Sequence, residues 1–320
     1  MDTFRPTATF EMLHKRAKLL HRVRHFFESR GFLEVETPIL SVDTVVDRHL
    51  DPMFLTLNGK RFFLQTSPEF AMKRLLAAGS GPIFQVGKVF RHDEYGELHN
   101  PEFTMLEYYR PGDDLITGMN FLDEFQDFIL HRGAAERKTY REVFLEILGL
   151  DPFQETENSL AEYVKKEGIS APEYYFTSNF SVNVTKDDWL DLILTERIQP
   201  KLGIHAPLIL YHYPASQAAL AQTVGEVAER FELYVNGLEI GNGYHELCNA
   251  HVLRQRNKIV NALRRLDGKE ILPEKSRLLQ AMDHGLPPCA GTAIGFDRLF
   301  MVTEGAKTLQ EVIAFPFDRA

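Results

Sequence analysis

Three observations predict an α+β fold. Residues 87–109, GKVFRHDEYGELHNPEFTMLEYY, read as two strands joined by a polar loop. Residues 230–246 alternate as a strand that passes through Gly237 into a second, Gly-rich segment. Residues 10–30 place Phe10, Leu13, Ala17, Leu20, Val23 and Phe27 at helical spacing, with Gly31 as the stop.

With 320 residues and 44% hydrophobic content, the chain can bury one large core or two modest ones. No repeat or clean boundary divides it, so a single domain over residues 1–320 is expected. No apolar run is long enough to span a bilayer, and the opening MDTFRPTATF lacks the apolar stretch of a signal peptide. Cys248 and Cys289 are too few for a disulfide framework or a zinc site. A cytoplasmic protein with no membrane partner is the expectation. A net charge of −9 argues against a dedicated nucleic-acid binder, which normally carries a basic face.

Taken in order, the helix at 10–30 carries Lys15, Arg16, Lys18, Arg22, Arg24 and His25 on its other face. That face is either solvated or docks an acidic partner. A strand at 33–36 ends at Thr37-Pro38. Residues 41–60, with Asp43, Asp47, His49 and Asp51 at irregular spacing, read as a polar lid in preference to a metal site. A strand at 61–64 leads to a helix at 69–78 with Pro68 near its start, where proline is favoured. Helices are predicted at 122–131, 142–148, 160–166 and 189–198, with Gly149, Gly168 and Pro200 as stops. PLILYHYP at 207–214 is a buried strand, and 252–266 is a basic helix with Arg254, Arg256, Lys258, Arg264 and Arg265. After Pro287-Pro288 come a strand at 290–294, a helix starting at Asp297-Arg298-Leu299, and a tail at 312–315 that closes the core.

The loop of residues 87–109 holds Arg91, His92, Asp93, Glu94, His99, Asn100 and Glu102, too many charges and donors for a plain hairpin turn. An arginine at a strand end beside an exposed aromatic suits a nucleotide, since guanidinium binds phosphate bidentately and the ring stacks on a base. The plain alternative is a solvated hairpin with surface ion pairs. At 237–246, three glycines stand beside Glu239 and Glu246, a credible hard-cation pair for Mg²⁺. Arg298, at a helix start beside Gly295, can serve a triphosphate or stack on adenine.

Phe90-Arg91 followed by HNPEFT at 99–104 resembles motif 2 of class II aminoacyl-tRNA synthetases, lysyl-tRNA synthetase most closely. FLEVETP at 32–38 resembles motif 1, GTAIGFDRL at 291–299 resembles motif 3, and EIGNG at 239–243 agrees with the lysyl branch. The motifs stand in the family's order across nearly the whole chain. The resemblance implies a class II catalytic core, an antiparallel β-sheet flanked by helices, that uses ATP and Mg²⁺. It also implies a homodimer paired through the first helix and the motif 1 strand.

Carried over position by position, the resemblance has Arg91 bridge the substrate carboxylate and the α-phosphate. Asp93 and Asn100 would read adenine and ribose or phosphate, Phe103 would stack under adenine, and Arg298 would cover its other face. His92, His99, Ile240 and Gly295 would complete the ATP site. Glu239 would hold Mg²⁺, with Glu246 shared between metal and substrate. Glu107, Tyr109 and Glu246 would hold a distant ammonium, and Ser67, Pro68 and Glu69 the nearer amine, beside Ala293. The implied reaction needs reactants in line, spread charge and a metal, and no protein nucleophile.

The sequence departs from lysyl-tRNA synthetases in places. Asp93 stands where glutamate is usual, Ala293 where glycine is, and LCNAH at 247–251 replaces a more acidic run. The first helix begins about ten residues from Met1, which leaves no room for an anticodon-binding OB-fold. This combination resembles the lysyl-tRNA synthetase paralogues that activate (R)-β-lysine and attach it to a lysine of elongation factor P. Moving the amine from α to β vacates the spot that the Ala293 methyl fills. The partners implied are elongation factor P, β-lysine and a second copy of the chain, with no stable tRNA binding. A truncated synthetase charging a tRNA or tRNA-like acceptor is the alternative, supported by the basic residues of 10–30 and 252–266. A catalytically silent paralogue is a further one, against which Arg91, Glu239, Glu246 and Arg298 stand intact.

Overall fold

Thr9 caps the first helix, α1 (Phe10–Glu28), its hydroxyl accepting from the Met12 N–H at 3.1 Å. The computed structural model describes residues 4–92, 94–172, 175–176 and 184–320. The buried face of α1 is Leu19, Val23, Phe26 and Phe27, so the expected stripe is displaced, and Phe10 is 74% exposed. Only the C-terminal half of the helix reaches the aromatic core, where Phe27 stacks on Phe84 and Phe26 meets Phe121 and Phe125. Its basic face is largely spent inside the chain. Arg16 pairs with Asp297 at 2.5 Å, Arg22 donates to the Phe128 carbonyl at 2.7 Å, and Arg24 pairs with Glu34.

The motif 1 strand is β1 (Leu33–Glu34). The strand expected at 61–64 is β4 (Lys60–Leu64), and residues mostly expected to be loop join it as β2 (Leu40–Ser41) and β3 (Phe54–Leu57) in a small antiparallel sheet, in the order β2–β4–β3. Asn58 and Gly59, both at positive φ, make the tight turn that pairs β3 with β4. After α2 (Glu69–Ala77) come β5 (Ile83–Phe90) and β6 (Glu102–Pro111), paired antiparallel along their whole length. Then follow α3 (Leu115–Leu130), β7 (Glu136–Thr139), α4 (Tyr140–Leu148), α5 (Glu157–Lys166) and α6 (Lys186–Ile193). The sequence places the start of α3 seven residues late. Asp114 and Thr117 form a capping box, and Gly118 lies where a Cβ would come within 2.8 Å of Ala290.

The second half supplies β8 (Leu208–Pro214), β9 (Thr223–Val224), β10 (Val227–Val235) and β11 (Leu238–His245). It ends with α7 (Ala250–Leu266), α8 (Arg277–Gly285), β12 (Cys289–Gly295) and α9 (Phe296–Glu304). Nine strands among the described residues form the main sheet, in the order β1–β5–β6–β12–β11–β10–β8–β7, with β9 beside β10. The interior pairings from β5 to β8 are antiparallel, and only β1 and β7 at the two edges pair in parallel. One face packs on α1, α3 and α9 through the largest core; α2, α7 and α8 close over the other with a core of their own. A third core joins α4, α5 and α6 to β8. No helix among the described residues is long and apolar enough to cross a membrane.

Candidate active site

The cavity is built by the register of four strands. Along β6, Phe103, Met105, Glu107 and Tyr109 face it, while Leu106 and Tyr108 face the main core. Pairing sets these residues in rows across the sheet. One row runs Tyr109, Gly291, Tyr244, Arg230 and the next Glu107, Ala293, Asn242, Glu232. The cavity measures 440 Å³ and is roofed by Val45, Asp47, His49 and Leu50 of the segment before β3, so the polar-lid reading of that segment fits. Its acids are tied down: Asp51 takes Arg264 at 2.7 Å, and Asp47 accepts the Leu50 N–H at 2.9 Å.

Acids converge at one end. Glu107 accepts from the Ser67 hydroxyl at 2.7 Å and from the Tyr109 hydroxyl. Burial, then the charge of Glu69, pushes its pKa up to about 7. Glu246 is pushed up to about 8, mainly by burial; Glu69 and Glu107 add to this, and Lys73 offsets part of it. Gly291 makes the geometry possible, since a Cβ there would meet the Tyr109 ring at 2.2 Å and Glu246 at 2.7 Å. Asn242 donates to the Tyr244 hydroxyl at 3.1 Å, and its buried Oδ1 has no partner among the described residues. Such a pocket is costly when empty and suits a ligand with more than one ammonium group.

Arginines gather at the other end. Arg91 pairs with Glu94 at 3.1 Å and lies 5.1 Å from the centre of the Phe103 ring. Arg298, on the first turn of α9, bonds to the Glu239 and Leu98 carbonyls and to His99 at 2.6 Å. Burial and the neighbouring Arg298 push the His99 pKa down, which keeps the ring neutral beside the two guanidiniums. A Cβ on Gly295 would meet the Arg298 side chain and the Ile240 carbonyl at 3.9 Å, ordinary contacts without a clash. Asp297 anchors this end, accepting the Thr104 N–H at 2.8 Å and pairing with Arg16.

The expected cation pair needs correction. Leu233 pairs with Gly241 but Tyr234 with Glu239, so Ile240 is an extra residue in β11. This bulge turns Glu239 to the cavity face that carries Asn242, Tyr244 and Glu246, and sends the Ile240 side chain into the main core. Glu239 and Glu246 remain about seven residue steps of extended chain apart, on the order of 20 Å, too far to share one ion. Their surroundings agree. Lys73, Glu69 and Glu107 act on Glu246, whereas burial and then Glu232 push Glu239 up to about 7, against Arg298, Arg230 and Arg91. Two carboxylates repelling each other across β10 and β11 are what a hard cation relieves, so Glu232 with Glu239 fits Mg²⁺. Among the described residues no group of three His, Cys, Asp or Glu is placed to hold a metal alone, so ligand oxygens would have to complete the shell.

Other expected residues sit differently. Pro68 is buried as the cap of α2, and His92 is exposed and holds the Asp51 carbonyl through its N–H; neither lines the cavity. Asp93 lies outside the described residues. Asn100 lines the cavity but spends its amide on the Glu102 carbonyl and the Phe317 N–H. Sequence reasoning missed Glu232, Asn242, Tyr244 and Lys73. The period-2 alternation through RFELYVNGLEIGNGY could have placed the first three on one face, had the bulge been seen.

A family model described as tRNA synthetases class II (D, K and N) matches residues 1–319. The chain belongs to the class II tRNA synthetase family. It is 43% identical over 330 aligned residues to the elongation factor P--(R)-beta-lysine ligase of Pseudoalteromonas translucida (strain TAC 125). The match covers 100% of this chain and 99% of that relative. The class II fold read from three motifs is therefore borne out, and Arg91 and Arg298 both line the cavity.

Proposed function

We propose that this class II chain is an ATP-dependent ligase. It activates (R)-β-lysine as the aminoacyl-adenylate and transfers it to a lysine side chain of elongation factor P. The observation that carries the reading is one cavity with Glu69, Glu107 and Glu246 at one end and Arg91 and Arg298 at the other. A diamino acid lying along it puts its ammonium groups among the carboxylates and its carboxylate beside Arg91.

The carboxylate attacks the α-phosphorus of ATP and pyrophosphate leaves; the acceptor amine then attacks the acyl carbon and AMP leaves. Arg91 holds carboxylate and phosphate together, and Arg298 with Phe103 holds the base. Glu239 with Glu232 would seat Mg²⁺, which neutralises phosphate charge as it develops. The relative's name supports β-lysine and elongation factor P, and such a partner in turn supports a cytoplasmic reaction. Charging of tRNA is less well supported, because the basic helices are mostly satisfied internally. Arg254 pairs with Asp283, Arg256 binds the Ala219 and Ala221 carbonyls, and Arg264 pairs with Asp51.

The proposed enzyme is a homodimer, with exposed Phe10 and Leu33 of α1 and β1 on the shared surface. ATP–pyrophosphate exchange with a panel of amino acids tests the reading. Exchange strongest with β-lysine, weaker with α-lysine and absent with monoamines is expected; exchange driven best by a neutral amino acid would overturn it.

A further inference from the structure

Behind the amine end of the cavity lies a charge that the activation chemistry does not use. Lys73 stands on α2 one turn after Glu69, with its side chain 1% exposed. Its ammonium pairs with Glu246 at 2.5 Å and with Glu69, and lies 5.7 Å from the centre of the Tyr109 ring. Lys73 does not line the cavity itself; the carboxylates it holds do. Burying an ammonium costs several kcal/mol, and an apolar side chain would fill the space more cheaply. Burial works against its charge, but Glu246 and Glu69 outweigh burial and keep it protonated. The other titratable groups around it are Glu107 and Tyr109 from β6, and Cys248 and Cys289, while Tyr244 from β11 acts on the two carboxylates that Lys73 holds.

We propose that Lys73 is the specificity-determining counter-ion of the amine pocket. Three carboxylates set against one fixed ammonium leave two negative charges, the complement of a substrate with two ammonium groups. The inference rests on the diamino-acid reading above. Lys73 does not touch substrate; it positions Glu69 and Glu246 and sets the charge that a ligand must match. A ligand with one ammonium leaves a buried negative charge, which only a proton from solvent can cancel.

The Lys73→Met variant tests this. Its pocket holds three acids with no internal cation, so a proton competes with the substrate there. In pyrophosphate exchange with β-lysine, KM should rise on the order of 10²-fold, with a much smaller change in kcat. The penalty should shrink as pH rises from about 6 to 9. A wild-type KM and pH profile in Lys73→Met would overturn the proposal.

Should that variant fail to fold, the wild-type protein answers by binding calorimetry in buffers of different ionisation enthalpy. An analogue lacking the far ammonium should take up about one more proton than β-lysine does. Equal proton counts would overturn the proposal. Proton counting reads binding alone, so a wild type that binds diamines yet catalyses no exchange counts against the activation reading and not against this one.

Discussion

Ala293 and Glu107 stand directly opposite each other in the β12–β6 pairing, both facing the cavity. The methyl and the carboxylate therefore bound the same short stretch of the pocket, and in the proposed reading the methyl takes space that an α-amine would need. One methyl in a tight pocket changes discrimination by about 1–3 kcal/mol. Ala293→Gly should raise kcat/KM for α-lysine roughly 10- to 200-fold, with little gain for β-lysine. A wild-type ratio between the two isomers in that variant would mean that Ala293 only packs against Asn242 across the β12–β11 pairing.

Arg91 lies just past the end of β5 over Phe103, where the proposed reaction brings carboxylate and α-phosphate together. Loss of a positioned charge contact of this kind costs on the order of 10²–10³ in rate. Arg91→Ala should lose that much pyrophosphate exchange while its circular dichroism stays that of the wild type. Near-normal exchange would remove Arg91 from the transition state.

The corrected cation site separates two glutamates that the sequence reads as a pair. Glu232→Gln or Glu239→Gln should raise the Mg²⁺ concentration needed for half-maximal exchange. Glu246→Gln should leave that concentration unchanged and raise KM for the diamine. A Glu246→Gln variant that needs more Mg²⁺ would restore the original pairing.

The buried acids also fix a pH dependence. Glu107 and Glu246 lie at about 7 and about 8 in the fold, against 4.5 for a free glutamate. Between about 4.5 and 8 the folded chain binds more protons than the unfolded one, so stability falls as pH rises through that window. The Tm of the ligand-free protein should drop from pH 6 to pH 8.5. Diamines bind the ionised carboxylates, so the rise in Tm that they cause should grow over the same range. A Tm that climbs from pH 6 to pH 8.5 would contradict the assignment.

What was legible in the sequence followed local periodicity and motif. The resemblance grouped Glu107 and Tyr109 around one ammonium, and Gly295 before Asp297 marked the start of α9. What was not legible depended on register. A one-residue bulge at Ile240 decides which acid meets Glu239, and no local pattern announces it. Lys73 was hidden in the same way: the spacing from Glu69 fits an ordinary surface pair on a helix, and only the closure of α2 over β6 and β11 buries it. The displaced stripe of α1 shows the converse limit, since Phe10 fits the helical period yet meets nothing in the chain's own core.

Whether an acyl group reaches a protein or a nucleic acid is the question on which the account turns. Intact-mass spectrometry of elongation factor P incubated with the enzyme, ATP, Mg²⁺ and (R)-β-lysine answers it, with bulk tRNA offered in the same reaction. The account predicts one β-lysyl adduct on the protein and little label on tRNA. Efficient aminoacylation of tRNA with unmodified elongation factor P would contradict it.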